Sequence, residues 1–404
     1  MNKERQIMNG QVRRIVALLF AGWCVIWIYR TLMGAVHPEI METVGKQSSM
    51  RLGLISSFYF VGYVAMQIPG GFIMDRFGKW QILVPSFGLM ALGFLIVGLA
   101  KNIETIYAGS LLSGIGSGTY YSGAFSLSTE NVPAESKCFA TAIVNSGCAL
   151  GMLMGYLFSA GAVRQLGVDW RAMLFLLAIM GALMAIVIRP LSKSERIEGR
   201  AATHHQRVDF KQIKTVLFTP RIMCSYFFYF CTCYGYYMIV SWLPSFLQNE
   251  RCLPGVLAGY TSSVIALVSI PSALFLSRAA DHFAKKRTIF LTVIQLLSGI
   301  MLACITCLRP FVFIVLSIAL YGIVGKQAID PLIVSQVTEQ FGNVALSTGL
   351  GVFNFFGMSA SIVAPMVTGV INDVTGSRTM GFFIAVGLLI VSSLIFGLTN
   401  RRTK

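Results

Sequence analysis

Long apolar runs separated by short polar turns fill nearly the whole of this sequence. Most runs are about 20 residues or longer, which is the length an α-helix needs to cross the hydrocarbon core of a bilayer. The pattern therefore predicts an all-α membrane protein with twelve transmembrane helices. The predicted spans are 14–37, 51–73, 79–100, 103–129, 136–162, 170–189, 221–248, 255–279, 287–308, 310–336, 344–371 and 377–400.

The longest polar stretch lies after the sixth run and divides the predicted spans into two sets of six. It predicts two six-helix bundles with pseudo-symmetry, residues 1–189 and 221–404, joined by a basic cytoplasmic linker at 190–220. Cytoplasmic loops of membrane proteins carry an excess of Lys and Arg. With both termini and the linker in the cytoplasm, 22 of the 32 Lys and Arg residues lie on that side and eight on the other. The charges thus predict cytoplasmic N and C termini.

Composition agrees with a protein made mostly of spans. Hydrophobic residues form 55% of the 404, the mean hydropathy is +0.72, and only 12% are charged, about half the share in soluble proteins. The net charge of +16 is spread over many loop ends, so we expect no nucleic-acid partner. The cysteine pairs lack nearby His or acidic residues, so we expect no metal and no cofactor. We expect a multi-pass protein of the inner or plasma membrane of a bacterium, present as a monomer.

One loop motif occurs twice, at equivalent places in the two halves. The loop after the second run reads Gly-Phe-Ile-Met-Asp-Arg-Phe-Gly-Lys at 71–79. The loop after the eighth reads Ser-Arg-Ala-Ala-Asp-His-Phe-Ala-Lys at 277–285. Two related six-helix halves are typical of secondary transporters, whose substrate site lies between the halves near the bilayer midplane.

The doubled motif resembles that of the major facilitator superfamily. Further segments, taken in order, are similar to those of its anion:cation symporter family, which moves organic anions such as hexuronates and other sugar acids. These segments are Arg30-Thr-Leu-Met-Gly-Ala-Val-His-Pro38, Tyr63-Val-Ala-Met-Gln67-Ile-Pro69-Gly70-Gly71, Tyr234-Gly-Tyr-Tyr-Met-Ile-Val-Ser-Trp242-Leu-Pro244, Asn354, Pro365 and Gly369-Val-Ile-Asn-Asp-Val-Thr-Gly376. The resemblance implies a secondary transporter that imports a small organic anion together with a proton.

Two positions depart from that family's pattern. Its symporters usually have an Asp just before the first-span Arg, where this chain has Tyr29. They commonly have a Glu in the Gly-rich stretch of span four, where Ser117 stands here. Anion exchange and uniport therefore stay open as alternatives. Organic phosphate antiport is a further alternative. Such carriers usually have a second Arg in span seven, whereas this chain has Tyr236 in the corresponding region.

Three ionisable residues lie deep in predicted spans, where a charge costs about 3 kcal/mol or more. Arg30 lies in span one, and its guanidinium fork matches a carboxylate with two parallel bonds. Substrate binding is the leading hypothesis for Arg30, with pairing to helix carbonyls as the alternative. Lys326 and Asp330 stand one turn apart in span ten and can touch. They form either a neutral structural pair or a switch in which substrate takes Lys326 and Asp330 takes up a proton.

Tyrosines and asparagines within the spans complete the predicted substrate site, and Tyr63, Tyr237, Asn145 and Asn354 are included because the family resemblance implies them. The substrate-binding residues predicted beside Arg30 and Lys326 are Tyr29, Tyr63, Tyr121, Asn145, Tyr237 and Asn354. The two motif loops, with Asp75, Arg76 and Asp281, are predicted gates, a role that the family resemblance also implies. The two carboxylates at helix ends can accept hydrogen bonds from the N terminus of a facing helix. The expected partners are a small organic anion, a proton and the lipid bilayer.

Other functional classes fit the sequence less well. We expect no enzyme, because no His-Glu-x-x-His, Gly-x-Ser-x-Gly or phosphate-binding loop is present. A sensor would need an output domain, and the short loops leave no room for one. Two similar six-helix halves favour a carrier over a channel.

Overall fold

The computed structural model describes residues 10–45, 49–130, 132, 136–201, 215–282, 286–341, 346–375 and 379–401, and the regular elements within them are helical. In the first half these are α1 Gly10–Ala35, α2 His37–Val44, α3 Ser49–Ala65, α4 Gln67–Phe77, α5 Lys79–Leu99, α6 Ile103–Gly118, α7 Tyr120–Glu130, α8 Lys137–Leu157, a π-helix Phe158–Gln165 and α9 Trp170–Ala201. In the second half they are α10 Pro220–Asn249, α11 Gly255–His282, α12 Arg287–Cys307, α13 Phe311–Val324, α14 Lys326–Phe341, α15 Leu346–Thr375 and α16 Thr379–Arg401.

The apolar runs become helices because lipid offers no hydrogen-bond partners, so each backbone must satisfy its own N–H and C=O groups. Eight helices of the described part are long and apolar enough to cross a membrane, or nine if α3 and α4, bent by 41°, count as one span. Each predicted apolar run coincides with helix in the described residues. The all-α prediction is confirmed for these residues.

In the described residues, three of the predicted runs have a helix break more than five residues from either end of the run. The breaks lie at Met66 between α3 and α4, at Thr119 between α6 and α7, and at Gly325 between α13 and α14. The last two fall in spans four and ten, which are equivalent in the two halves. A half-helix that begins inside a membrane presents its positive N-terminal end there, an arrangement that suits anion binding.

Helix α9 extends beyond the predicted end of the first bundle at residue 189. It continues through Pro190 to Ala201, and residues 202–214 of the predicted linker lie outside the described part. The added residues include Leu, Lys, Glu, Arg and Ala, which favour helix in water as well as in lipid. A polar sequence therefore does not mark the end of this helix.

The chain divides into two compact units. The first comprises residues 1–132, 143–213 and 343–352, and the second comprises 133–142, 214–342 and 353–404. The first turns of α15 thus group with the first unit, and the first turn of α8 groups with the second. These two short segments contact the carboxylates of the doubled loop motif.

Close helix packing in the first unit depends on small residues. Gly147, Gly151 and Gly155 bring α8 so near α1 that an added Cβ would lie 2.4, 2.6 and 2.9 Å from backbone carbonyl oxygens of α1. Such small-residue contacts let helix backbones approach one another in membranes. Large apolar side chains remain on the outside, including Leu99, Leu183 and Ile186, which are more than half exposed. Outward apolar surface of this kind suits contact with lipid.

Candidate substrate and gating sites

Arg30 lies near the end of α1 and is held by a tyrosine of α3. Its Nε donates a hydrogen bond to the Tyr59 hydroxyl at 3.1 Å. That hydroxyl also hydrogen bonds with Ser117 Oγ at 2.6 Å. Ser117 lies on α6, so a pair of hydroxyl groups connects the Arg30 site to that helix. The guanidinium orientation is fixed from one edge.

Aromatic rings surround the Arg30 guanidinium. Its Cζ lies 4.3 Å from the ring centroid of Tyr63, 5.0 Å from Trp27, 5.1 Å from Tyr59 and 5.4 Å from Phe60. Cation–π contacts contribute about 0.5–1 kcal/mol at exposed sites and about 2 kcal/mol when desolvated. The rings therefore help to keep a charged side chain within an apolar span. Tyr63, predicted as a substrate contact, is one of these rings.

Tyr29 belongs to a different set of contacts from its neighbour Arg30. Its hydroxyl hydrogen bonds with Ser110 Oγ at 2.9 Å, and its ring stacks on Phe94 with centroids 4.4 Å apart. The side chain is only 2% exposed. This placement favours a role in packing α1 against α5 and α6. The substrate contact of Tyr29 stays a prediction.

Tyr121 and Asn145 are buried elsewhere in the first unit. Tyr121 packs edge-on against Phe125 at 4.5 Å and Trp23 at 6.3 Å. Asn145 is 7% exposed, and its Oδ1 accepts from Cys148 Sγ at 3.6 Å. Both positions lie on helices that pack near α1, and their roles as substrate contacts stay predictions.

Lys326 and Asp330 form an ion pair at the start of α14. The Lys326 ammonium donates to Asp330 Oδ2, and the two side chains are 11% and 6% exposed. The ammonium also lies 5.7 Å from the Tyr229 ring centroid and 5.6 Å from that of Tyr236. The sequence predicted this pair from its i, i+4 spacing, and the contact is present. The N-terminal end of α14 adds positive potential around Lys326.

Asp330 is incompletely satisfied. Its second oxygen, Oδ1, is buried and has no hydrogen-bond donor among the residues described. The next residue, Pro331, lies inside α14 and removes a backbone donor from the helix. A buried carboxylate that depends on one ammonium loses much of its compensation when that ammonium is engaged elsewhere. The geometry is therefore compatible with the switch hypothesis.

Tyr237 and Asn354, both predicted substrate contacts, lie in the second unit. The Tyr237 hydroxyl donates to Met358 Sδ at 3.3 Å, and its ring meets Tyr236 edge-on at 5.5 Å. Tyr236 in turn flanks Lys326, so Tyr237 is one aromatic residue removed from the ion pair. Asn354 is 1% exposed on α15. Their contact with a substrate stays a prediction.

The first copy of the loop motif binds the N terminus of α15. Asp75 Oδ1 accepts from the Ser347 backbone N–H at 2.9 Å. Asp75 Oδ2 accepts from the Thr348 N–H at 2.7 Å and from its hydroxyl at 2.6 Å. A carboxylate that accepts three donors at a helix N terminus has a favourable charge–dipole interaction. A Cβ on Gly71 would lie 2.4 Å from the Ser347 carbonyl oxygen, so only glycine fits this approach.

The second copy makes the matching contact with α8. Asp281 Oδ1 accepts from the Cys138 N–H at 3.1 Å, and Oδ2 accepts from the Phe139 N–H at 2.9 Å. The substitution of Ser and Ala for the motif's glycines does not prevent this geometry. Arg76 is exposed, and its guanidinium lies 5.3 Å from the Phe77 ring.

Ion pairs not predicted from the sequence lie near both motif copies. Lys79 pairs with Glu130 in the first unit, and Arg287 pairs with Glu339 at 2.7 Å in the second. The first pair joins the start of α5 to the end of α7. The second joins the start of α12 to the last turn of α14. The equivalent positions of the two ion pairs in the two halves are the signal from which a residue-by-residue alignment of the halves could have predicted them.

Comparison with known proteins places these features in one family. The family model of the Major Facilitator Superfamily matches residues 18–365. The chain belongs to the major facilitator superfamily. The resemblance noted in the sequence is confirmed, and with several apolar helices the chain is a multi-pass membrane protein.

Similar superfamily members include carriers of acidic compounds. A putative tartrate transporter of Agrobacterium vitis is 22% identical and covers 97% of this chain and 94% of its own length. A hexuronate transporter of Bacillus subtilis is 25% identical, over 94% of this chain and 92% of its own length.

Solved structures of the superfamily share the fold. The fucose:proton symporter of E. coli superposes with a TM-score of 0.75 at 15% identity, covering 96% of this chain and 98% of its own. The human organic anion transporter MFSD10 gives a TM-score of 0.73 at 15% identity, covering 96% of this chain and 100% of its own.

Proposed function

We propose that this chain is a secondary transporter that carries a small organic anion, a carboxylate or sugar acid, across the membrane by alternating access. The observation that carries the proposal is a guanidinium held inside a span by aromatic rings and one tyrosine hydroxyl. Arg30 cannot give up its charge, so its place in the span favours an anion that binds it. The names of the tartrate and hexuronate transporters support the same substrate class.

The charges inside the predicted spans restrict the substrate further. The three ionisable residues deep in predicted spans are the cations Arg30 and Lys326 and the acid Asp330. Their summed charge is +1 with Asp330 ionised and +2 with Asp330 protonated. A cation is disfavoured, and a neutral compound gives no reason for two buried cations. A monoanion fits the first state, and a dianion fits the second together with an incoming proton.

Proton-coupled import is the mechanism we favour, with Asp330 as the proton carrier. Asp330 has one partner in the described residues and one buried oxygen without a donor, so its protonation is sensitive to what Lys326 binds. Anion exchange or uniport, including organic phosphate antiport, is the alternative, since Tyr29 and Ser117 replace the acids of related symporters.

Asp75, Arg76 and Asp281 act as gate residues in this proposal. Asp75 and Asp281 each hold the first turn of a long helix by accepting successive backbone N–H groups. Releasing and remaking these contacts would accompany each transport cycle. The chain crosses the membrane twelve times in two six-helix bundles, 1–189 and 221–404, with both termini and the 190–220 linker in the cytoplasm of a bacterial cell.

Binding should identify the substrate class directly. Monocarboxylates, sugar acids, dicarboxylates and sugar phosphates are screened by thermal shift on the purified full chain. A ligand that binds the native state at 100 times its Kd stabilises it by about 2.7 kcal/mol, so carboxylates are expected to raise the melting temperature by several degrees. Stabilisation by sugar phosphates and not by carboxylates would favour the antiport alternative.

Counterflow in proteoliposomes separates a carrier from a channel. Unlabelled substrate inside the vesicles should drive transient accumulation of labelled substrate, and the flux should saturate. Flux without saturation or counterflow would contradict alternating access.

Weakening the Asp75 contact is expected to slow transport and leave substrate binding intact. In Asp75→Asn the neutral amide accepts more weakly than a carboxylate and no longer favours the helix dipole. The first turn of α15 is then held less firmly. Hydrogen–deuterium exchange of the 346–352 peptide is expected to rise severalfold, while the ligand-induced thermal shift is unchanged.

Two glycine substitutions, one that disturbs the same contact and one that serves as its control, complete the gate experiment. Gly71→Ala places a Cβ against Ser347 without changing any charge, and it should raise exchange in the same peptide. Gly88→Ala is matched to it, because nothing lies within 4 Å of a Cβ at that position. Lost transport with unchanged exchange in Asp75→Asn and Gly71→Ala would contradict the gating role.

A further inference from the structure

An open cavity of about 470 Å3 lies in the first unit where the start of α1 meets the last membrane turns of α9. It is lined by Arg14, Ile15, Leu18, Val187, Pro190 and Leu191. Its size is within the range of about 300–1,000 Å3 that small-ligand sites occupy. One cationic and five apolar side chains form the lining, so the cavity has one charged end and an otherwise apolar surface.

The cavity lies at the end of two candidate membrane spans. These spans are Val12–Ala35 and Trp170–Leu191, so Arg14 and Pro190 are each within two residues of a span end. Helix α9 runs antiparallel to α5, because Gly98 meets Phe175 and Gly181 meets Ala91. The cavity therefore lies at the Lys79 end of the unit, at the level of lipid headgroups.

Positive charge accumulates beside the cavity. Arg14 is exposed and lines it, while Arg13 and Arg189 are exposed on the same two helix ends. No carboxylate pairs with these three arginines within the part of the chain that is described. Guanidinium groups match phosphate oxygens with two parallel hydrogen bonds. The charge is complementary to a phosphate group.

The apolar side of the cavity continues onto the outer face of α9. Leu183, Ile186 and Val187 are 53%, 63% and 50% exposed. Pro190 has no backbone N–H, which leaves the Ile186 carbonyl without its usual helix donor. The arginine and the apolar strip are complementary to a phospholipid, because the headgroup can bind the arginine while an acyl chain lies along the strip.

We infer that this cavity binds an anionic phospholipid, with the phosphate on Arg14 and an acyl chain along Val187 and Leu183. Basic pockets between membrane helices at the bilayer surface bind anionic headgroups by the same physics. The site is separate from Arg30, Lys326 and the gate residues, and it does not depend on the transported substrate.

Native mass spectrometry of the purified full chain tests the inference. The probes are dioleoyl phosphatidylglycerol and dioleoyl phosphatidylcholine, which share their acyl chains and differ in headgroup charge. Wild-type protein is expected to retain more phosphatidylglycerol than phosphatidylcholine. Arg14→Gln should lower phosphatidylglycerol retention by about fivefold, the effect of one arginine near a membrane surface, and leave phosphatidylcholine retention unchanged. Arg14→Lys, which keeps the charge without the fork, should give an intermediate value.

Lys101→Gln is the matched control, because Lys101 is an exposed cation at the opposite end of the same unit. It should retain phosphatidylglycerol as wild type does. Equal retention of the two lipids by wild type, or unchanged phosphatidylglycerol retention in Arg14→Gln, would overturn the inference. Displacement of the lipid by millimolar glycerol phosphate would also overturn it, since the cavity would then be a site for a soluble phosphate.

Discussion

Arg30→Lys is expected to weaken substrate binding by about 1–3 kcal/mol, roughly a 5- to 150-fold rise in Kd, although the positive charge is kept. The guanidinium presents a planar fork whose Nε edge is fixed by Tyr59, which leaves the remaining donors in a defined orientation. An ammonium on a flexible stem can neither form two parallel bonds to a carboxylate nor stack in the same way among four aromatic rings. Isothermal titration with the best ligand from the screen measures the loss.

Arg51→Lys is the matched control for this substitution. Arg51 forms an exposed pair with Glu104 at 3.4 Å, which contributes little to stability. Its affinity and melting temperature are expected to match wild type. Wild-type affinity in a folded Arg30→Lys variant would remove Arg30 from the substrate site and leave the structural alternative.

The gate shows which parts of a site a sequence can reveal. The doubled motif predicted that Asp75 and Asp281 are gate residues and that each accepts hydrogen bonds from the N terminus of a facing helix. It did not identify the donors, because Ser347 is 272 residues from Asp75 and Cys138 is 143 residues from Asp281. Backbone N–H groups carry no sequence signature, so only the fold could supply them.

The surroundings of Arg30 were predicted only in part. Tyr63 was expected at the site, but Trp27 and Phe60 were not, because aromatic residues are common in apolar spans and most of them face lipid or pack. Trp27 lies three residues before Arg30 and therefore on the same helix face, which is the signal that could have included it. Tyr29 shows the reverse case, since adjacency in sequence places it on a different face, against Ser110.

The ion pair in span ten was predictable from local spacing alone. Lys326 and Asp330 are one helical turn apart, and a helix brings such residues together without any contribution from the rest of the fold. The break at Gly325 was not predicted, because one glycine within a long apolar run does not by itself end a helix. That break makes Lys326 the first residue of a new helix and places it at a positive helix end.

Asp330→Asn is expected to abolish proton-driven accumulation while retaining exchange of labelled for unlabelled substrate. Asparagine imitates the protonated, neutral form of the carboxylate, so the variant can pass through the loaded states but cannot release or take up the proton. Lys326 loses its charged partner in this variant and stays available to the anion. Uptake into proteoliposomes under an imposed pH gradient, compared with exchange at equal pH, measures the two activities separately.

Glu104→Gln provides the control, because Glu104 is a carboxylate that is 65% exposed and pairs only with the surface residue Arg51 among the described ion pairs. It should accumulate substrate as wild type does. Concentrative uptake that survives in Asp330→Asn would mean that the proton travels by another route or that transport is not proton-coupled. Loss of both activities together with a lower melting temperature would instead identify Lys326 and Asp330 as a structural pair, because removing one partner leaves a buried ammonium uncompensated, at a cost of about 3–5 kcal/mol. The two outcomes separate because exchange requires an intact fold and substrate site, whereas accumulation also requires that one group change its charge during the cycle.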